Sequence, residues 1–208
     1  MAATLSVTLV ADGTSDHRML VPLIRLLLDE LSSVAFRIAS ASNEGGGHQL
    51  DVRVPRAVND YPCDLLLVHR DAEGEDAAKR EAEISVALQR GGLGVPHVCI
   101  VPVRMTEAWL LVDETAVRYA VGNPRGTADL ALPSLRQIER CDAKQELFRA
   151  LGVAQDLGAR RMKAFNPLHH RHHVAERMDN LDLLRRLPSF QHFEQRLRAC
   201  LARIGLTG

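Results

Sequence analysis

The first half of the chain alternates short, continuous apolar segments with longer amphipathic ones. The apolar, β-branched segments that predict buried strands lie at 4–11, 34–39, 64–69 and 97–103. Residues 16–31 place leucine and isoleucine every three or four positions, and residues 76–90 have the spacing of a charged, alanine-rich helix. Strands that alternate with helices through short connections indicate an α/β fold with a mostly parallel sheet.

The pattern changes after the Gly- and Pro-containing loop at 122–126. The rest of the chain predicts no strand, and its expected helices lie near 135–140, 143–151, 174–186 and 190–204. We therefore expect a Rossmann-like α/β core over residues 1–122. A basic, all-helical region over residues 123–208 is expected to pack on that core.

Charge is divided unevenly between the two parts, although the whole chain has a formal net charge of zero. Residues 1–130 carry 12 Lys and Arg against 18 Asp and Glu, whereas residues 131–208 carry 14 against 8. An acidic N-terminal part suits a core that binds cations, and a basic C-terminal part suits an appendage that faces an anion. The alternative is that the charges are divided in this way by chance. No apolar run approaches the ~18 residues of a membrane span, and no signal peptide is visible. We expect a cytoplasmic protein without membrane contact.

Acidic residues follow three of the predicted strands. Asp12 follows the first, Asp71 and Glu73 follow the strand that begins near residue 64, and Glu107 lies one helical turn beyond the last. Ligands bind at the carboxyl edge of parallel sheets, so we expect the four carboxylates to gather there. The two-residue spacing of Asp71 and Glu73 predicts that both point to one side of an extended chain.

Clustered carboxylates suit a hard divalent cation, Mg²⁺ or Mn²⁺, which takes oxygen ligands and offsets their repulsion. Asp12, Asp71 and Glu73 are the predicted metal ligands, with Glu107 in support. One or two such ions beside a phosphodiester activate water and stabilise the leaving oxygen. The alternative is that these acids cap helices and pair with arginines.

Basic residues near the acids offer contacts for a phosphate. Arg70 and Arg104 lie near strand ends, where each would hold a phosphate bidentately or form a salt bridge that fixes the carboxylates. Lys144 would stabilise charge on a phosphoryl oxygen, or lie solvated on its helix. The histidine-rich run at 169–173 has no HExxH acid, which favours a solvated basic surface over a zinc site.

The turn Asp12-Gly13 after the first strand and the DxD-like pair Asp71 and Glu73 resemble the TOPRIM fold of topoisomerases, primases and OLD-family nucleases. The chain resembles more closely a bacterial TOPRIM-like family of unassigned function, often encoded beside an AAA-type ATPase. The stretches that match this family cover most of the chain and are LLLVHRDAE (65–73), VPVRMTEAWLLVDE (101–114), DAKQEL (142–147), GARRMKAF (158–165) and VAERMDNLDLLRRLPSF (174–190).

The resemblance implies a Mg²⁺-dependent nuclease that acts with an ATPase partner in phage defence or DNA processing. Asp12, Asp71, Glu73, Glu107 and Lys144 are the expected catalytic residues. Nucleic acid is the expected partner, and the protein is open to forming a homo-oligomer.

The basic tail, with Arg160 and Arg161 of the GARRMKAF stretch, is expected to contact the phosphates of the nucleic acid. TOPRIM proteins usually carry Glu where this chain has Asp12. A non-catalytic TOPRIM-like module that serves an ATPase complex is therefore an alternative. A hydrolase of small phosphoesters or nucleotides is another.

Overall fold

The computed structural model describes residues 4–41, 49–156 and 165–207, and its architecture is α/β. Four parallel strands form one sheet in the order β2-β1-β3-β4. The strands are β1 Thr4–Val10, β2 Ala35–Ser40, β3 Leu65–His69 and β4 His97–Ile100. The helices are α1 Thr14–Leu31, α2 Leu50–Asp60, α3 Ala77–Arg90, α4 Glu107–Leu110, α5 Glu114–Ala120, α6 Leu135–Ile138, α7 Ala143–Gln155, α8 Arg171–Arg177 and α9 Pro188–Arg203.

The sheet separates two hydrophobic cores, and β3 contributes to both. Leu65 and Leu67 belong to the larger core, whereas Leu66 and Val68 belong to the smaller one that α2 and α3 cover. This division follows from the alternation of side chains along a strand. All five residues of β3 are buried, as expected for a parallel strand covered on both faces.

The larger core joins the sheet to the helical C-terminal region. Trp109 of α4 is fully buried and packs edge-on against Phe190, with ring centroids 5.1 Å apart, and parallel to Phe193 at 6.0 Å. Its indole Nε1 donates a hydrogen bond of 2.9 Å to Ser189 Oγ. Helices α4 and α9 therefore pack against each other within the larger core.

Two predicted elements differ from the structure. The strand predicted to reach residue 103 ends at Ile100, because Pro102 has no N–H for a further ladder bond. The helix predicted over 174–186 is wrong, since α8 ends at Arg177 and only a short 3₁₀ turn follows at Leu184–Arg186. Asn180 Oδ1 accepts the N–H of Asp182 there, a local bond that competes with helix formation. No helix among the described ranges is long and apolar enough to cross a membrane.

Candidate active site at the carboxyl edge of the sheet

The sheet order brings the ends of β1 and β3 together. Val10 of β1 lies opposite Val68 of β3, so Asp12 and Asp71 leave the same edge of neighbouring strands. Neighbouring strands lie about 4.8 Å apart. Asp16, in the first turn of α1, and Glu107, at the start of α4, reach the same edge. We call Asp12, Asp16, Asp71 and Glu107 the carboxylate group.

His69, the last residue of β3, lies fully buried against this group. Its Nε2 is 3.1 Å from Asp71 Oδ1 and 2.9 Å from Thr106 Oγ1, and the Thr106 hydroxyl donates to the same Asp71 oxygen at 3.3 Å. Burial acts to lower the pKa of His69, but the hydrogen bond and charge of Asp71, with the charges of Asp16 and Asp12, outweigh it and raise that pKa. The contacts with His69 and Thr106 therefore orient Asp71.

Two members of the carboxylate group have a raised pKa. Burial is the main cause for Asp16, and the charges of Asp71 and Asp12 add to it despite the opposing effects of His69 and the Gly13 N–H. The Asp16 carboxylate folds back on the turn before α1, where a Cβ on Gly13 would lie 3.1 Å from Asp16 Oδ2. Glycine thus leaves room for the carboxylate.

Glu107 is buried and is paired with a distant arginine. Its Oε1 accepts a hydrogen bond of 2.8 Å from Arg171 Nη1 on α8. Burial raises the pKa of Glu107, and the charges of Asp71 and Asp16 raise it further, so that Arg171 only partly offsets them. Asp16 and Glu107 are therefore the two members of the group whose pKa is raised, in both cases chiefly by burial.

Asp12 lies between two arginines. Arg53 Nη1 is 3.6 Å from Asp12 Oδ1, and Arg70 Nε is 3.5 Å from Asp12 Oδ2. Arg53 is buried and also donates to the carbonyl of Ala11, whereas Arg70 is partly exposed and reaches Glu83 at 3.7 Å. The salt-bridge interpretation of Arg70 is confirmed, and the charge of Asp12 is better balanced than that of its neighbours.

Glu73 does not point the same way as Asp71, so that prediction is wrong. Glu73 has a φ of 54°, and a left-handed residue breaks the alternation of an extended chain. The turn is fixed by backbone bonds from Glu73 N to the Arg104 carbonyl and from Gly74 N to the Val103 carbonyl. The Glu73 side chain is 75% exposed and pairs with Arg80 on α3.

The other predicted cations lie away from the carboxylate group or outside the described ranges. Arg104 is exposed and its Nη1 is 3.5 Å from the carbonyl of Arg140. Lys144 is exposed at the start of α7. Arg160 and Arg161 lie outside the described residues.

The predicted metal ligands do not form a closed ligand set. Among the described residues, ligand atoms of three acidic, histidine or cysteine side chains within 4.8 Å of one another occur at His172, His173 and Glu176, not at Asp12, Asp71 and Glu73. The same is true of Asp16, Asp71 and Glu107, whose ligand atoms do not all lie within 4.8 Å of one another. Their carboxylate oxygens are nevertheless the type of ligand that a hard divalent cation takes.

Sequence reasoning missed several residues of this site. Asp16 is absent from the predicted carboxylates, although an acid four positions after Asp12 in the first turn of a helix returns to the strand end. His69 and Thr106 carried a weaker signal, since each directly adjoins a predicted strand end or a predicted acid. The sequence gives no signal for Arg53 or Arg171, because these side chains reach the site from α2 and α8.

The finished site combines oxygen donors, an orienting histidine and flanking guanidinium groups at an edge where parallel sheets bind ligands. Such an arrangement can hold a cation and, beside it, an anion. Comparisons of the chain with protein-family models, with curated proteins and with solved structures give no match.

Proposed function

We propose that this protein is a phosphodiesterase that requires Mg²⁺ or Mn²⁺ and acts on nucleic acid as a nuclease of the TOPRIM type. The observation that carries the proposal is the convergence of Asp12, Asp16, Asp71 and Glu107 around buried His69 at the carboxyl edge of the sheet. Burial of the Asp16 and Glu107 carboxyl groups, the main cause of their raised pKa values, is a cost to their charged forms that a bound cation would offset.

Asp16, Asp71 and Glu107 are the residues that would hold the ion. When bound, a divalent ion activates water for attack on phosphorus and stabilises the leaving oxygen. His69 and Thr106 fix the orientation of Asp71, as residues behind metal ligands commonly do.

The flanking arginines differ in what they can offer a substrate. Arg70 is partly exposed and directs its guanidinium toward the site, where a phosphate oxygen can compete for it with Asp12 and Glu83. Arg53 is buried and holds the turn after β1 through the Ala11 carbonyl. Substrate contact at Arg70 would be salt-dependent, as phosphate contacts are.

Asp71→Asn is the first test of this function, because it keeps the shape of the side chain and removes the charge that His69 and Thr106 orient. Cleavage of plasmid and of single-stranded DNA and RNA is measured with Mg²⁺ or Mn²⁺ and with EDTA. We expect the cleavage rate to fall by about 100-fold in Asp71→Asn, as for loss of a metal-supporting group. EDTA should abolish cleavage by the wild-type chain.

Two control variants separate the site from general effects of charge. Asp182→Asn changes a carboxylate that is 83% exposed next to Arg185, and it should leave the rate unchanged. Glu73→Gln should change the rate less than twofold, because Glu73 pairs with Arg80 outside the carboxylate group. Equal metal-dependent cleavage by the wild type and Asp71→Asn would refute the assignment.

A non-catalytic role is the second candidate, and the environment of Asp12 favours it. Asp12 is held between Arg53 and Arg70, so its carboxylate is already engaged without a metal ion. In that case the chain is a TOPRIM-like module of an AAA-type ATPase complex, in phage defence as the resemblance implies. Absence of cleavage together with stable co-purification with the ATPase would select this function over the first.

A further inference from the structure

Helix α8 carries a group of ligand atoms that the carboxylate group does not include. The imidazole nitrogens of His172 and His173 and a carboxylate oxygen of Glu176 all lie within 4.8 Å of one another. We propose that these three side chains bind a transition-metal dication, with Zn²⁺ as the expected ion. The proposal does not rest on the proposed function.

The helical spacing explains why the three side chains meet. His172 and His173 lie four and three residues before Glu176, so both are neighbours of it on the surface of α8. The two imidazole rings have centroids 4.1 Å apart, and His173 Nδ1 is 2.7 Å from Glu176 Oε2. Tetrahedral zinc bonds of about 2.0–2.2 Å place ligand atoms roughly 3.3 Å apart, so the group needs only small side-chain rotations.

The donor set selects the class of metal. Two imidazole nitrogens and one carboxylate oxygen suit Zn²⁺ and its transition-metal neighbours, whereas Mg²⁺ and Ca²⁺ take oxygen ligands. Arg18 and Arg171 lie close enough to His172 to act on its charge. Their positive field opposes every dication, so an ion bound here depends on strong bonds to the imidazole nitrogens.

His172 is prepared for this role by its surroundings. Its partial burial, together with the charge of His173 and of the two arginines, lowers its pKa, while Glu176 acts in the opposite direction. A neutral imidazole keeps the nitrogen lone pair that a metal requires.

The helix that carries the group is well anchored, and its ligands are accessible. Val174 and Ala175 of α8 are buried, while the side chains of His173 and Glu176 are about half exposed, at 45% and 48%. Just before the helix, the Nδ1 atom of His170 forms a hydrogen bond of 3.1 Å with the carbonyl oxygen of Ala120. Three protein ligands leave the fourth position of a tetrahedral zinc ion to water or to an incoming ligand.

Calorimetric titration of the full chain, made without a polyhistidine tag, tests the site. The titrant is ZnCl₂ in buffer with excess MgCl₂, which competes for the carboxylate group. We expect one zinc ion per chain, with binding at least tenfold weaker in His173→Ala and in Glu176→Gln. Co²⁺ in place of Zn²⁺ should give the intense visible absorption of a tetrahedral site, and both variants should lose it.

Two further variants show where the zinc is bound. His169→Ala removes an exposed imidazole of the same run, one that lies near Asn166 instead of the proposed ligands, and it should bind zinc like the wild type. Asp71→Asn should also retain zinc binding. Loss of zinc binding in Asp71→Asn would instead show that the zinc is bound by the carboxylate group. Equal affinity of the wild type and His173→Ala, or no uptake of Zn²⁺ by the wild type, would overturn the proposal. Circular dichroism confirms that each variant is folded.

Discussion

At the scale of single residues, His69 organises the carboxylate group. The imidazole at the end of β3 is fully buried, which disfavours its charged form, but the hydrogen bond and charge of Asp71, with the charges of Asp16 and Asp12, stabilise that form more strongly and raise its pKa. Since its pKa is raised above the ordinary 6.5, this stabilisation is complete below pH 6.5 and disappears as the pH rises through the folded-state value. The contact between His69 and Asp71 therefore contributes both to folding and to the orientation of Asp71.

His17 has the opposite pH dependence and gives a prediction at the same scale. It is buried, and burial together with the charges of Arg53 and His69 lowers its pKa to about 4. In the unfolded chain His17 binds a proton as the pH falls through 6.5, whereas in the folded chain it binds that proton only near pH 4. Between these two pH values His17 should therefore lower the free energy of unfolding progressively. The full effect would amount to ~3 kcal/mol.

The measurement is the free energy of unfolding in urea at pH 7 and pH 4.5, for the wild type and His17→Leu. The variant should lose less stability on acidification, because leucine cannot bind a proton in the unfolded state. His192→Gln, which changes an exposed imidazole elsewhere on the surface, is measured beside these proteins to separate burial of the histidine from its mere removal. Parallel pH curves for the wild type and His17→Leu would contradict the prediction.

At the scale of elements, the close approach of α2 and α3 depends on a glycine. Gly91 ends α3 in a right-handed conformation, with a φ of −76°, that any residue adopts. A Cβ there would lie 2.8 Å from Cγ of Pro55 in α2, and a proline ring cannot rotate away. Gly91→Ala should therefore lower the free energy of unfolding by about 1–3 kcal/mol through overpacking.

Gly94→Ala is the matched control for this prediction. Nothing lies within 4 Å of a Cβ at Gly94, so alanine there should leave stability unchanged or raise it by about 0.4–1 kcal/mol, by restricting the unfolded chain. Thermal unfolding of both variants measures the difference. Equal melting temperatures for Gly91→Ala and the wild type would show that α2 and α3 separate at little cost.

At the scale of the whole molecule, the sheet and the C-terminal helices share one core. Trp109, Phe190 and Phe193 pack together across α4 and α9. Arg185 adds a polar link, because it pairs with Glu194 of α9 and with Glu30 at the end of α1. The larger core is therefore incomplete without the chain beyond residue 122.

A fragment of residues 1–122 should for this reason fail to fold cooperatively, whereas the full chain should unfold in a single transition. Trp109 is the single tryptophan of the sequence and reports on the shared core. Urea unfolding is followed by its fluorescence and by circular dichroism. Coincident, cooperative curves for the fragment would show that the α/β part is an independent domain.

The sequence alone determined the strands and the acids that follow them. Apolar runs predicted β1, β2 and β3 to within one or two residues, because a buried parallel strand needs a continuous apolar segment. The same pattern placed Asp12 and Asp71 just beyond the ends of these strands. These properties are local or depend only on burial, so a single sequence carries them.

Only the tertiary structure decided which side chains meet. The order of the strands made β1 and β3 neighbours, and a left-handed turn directed Glu73 to Arg80. Arg171 reaches Glu107 from 64 positions along the chain. Contacts of this kind depend on how distant elements pack, and neither the spacing of residues nor their periodicity records that packing.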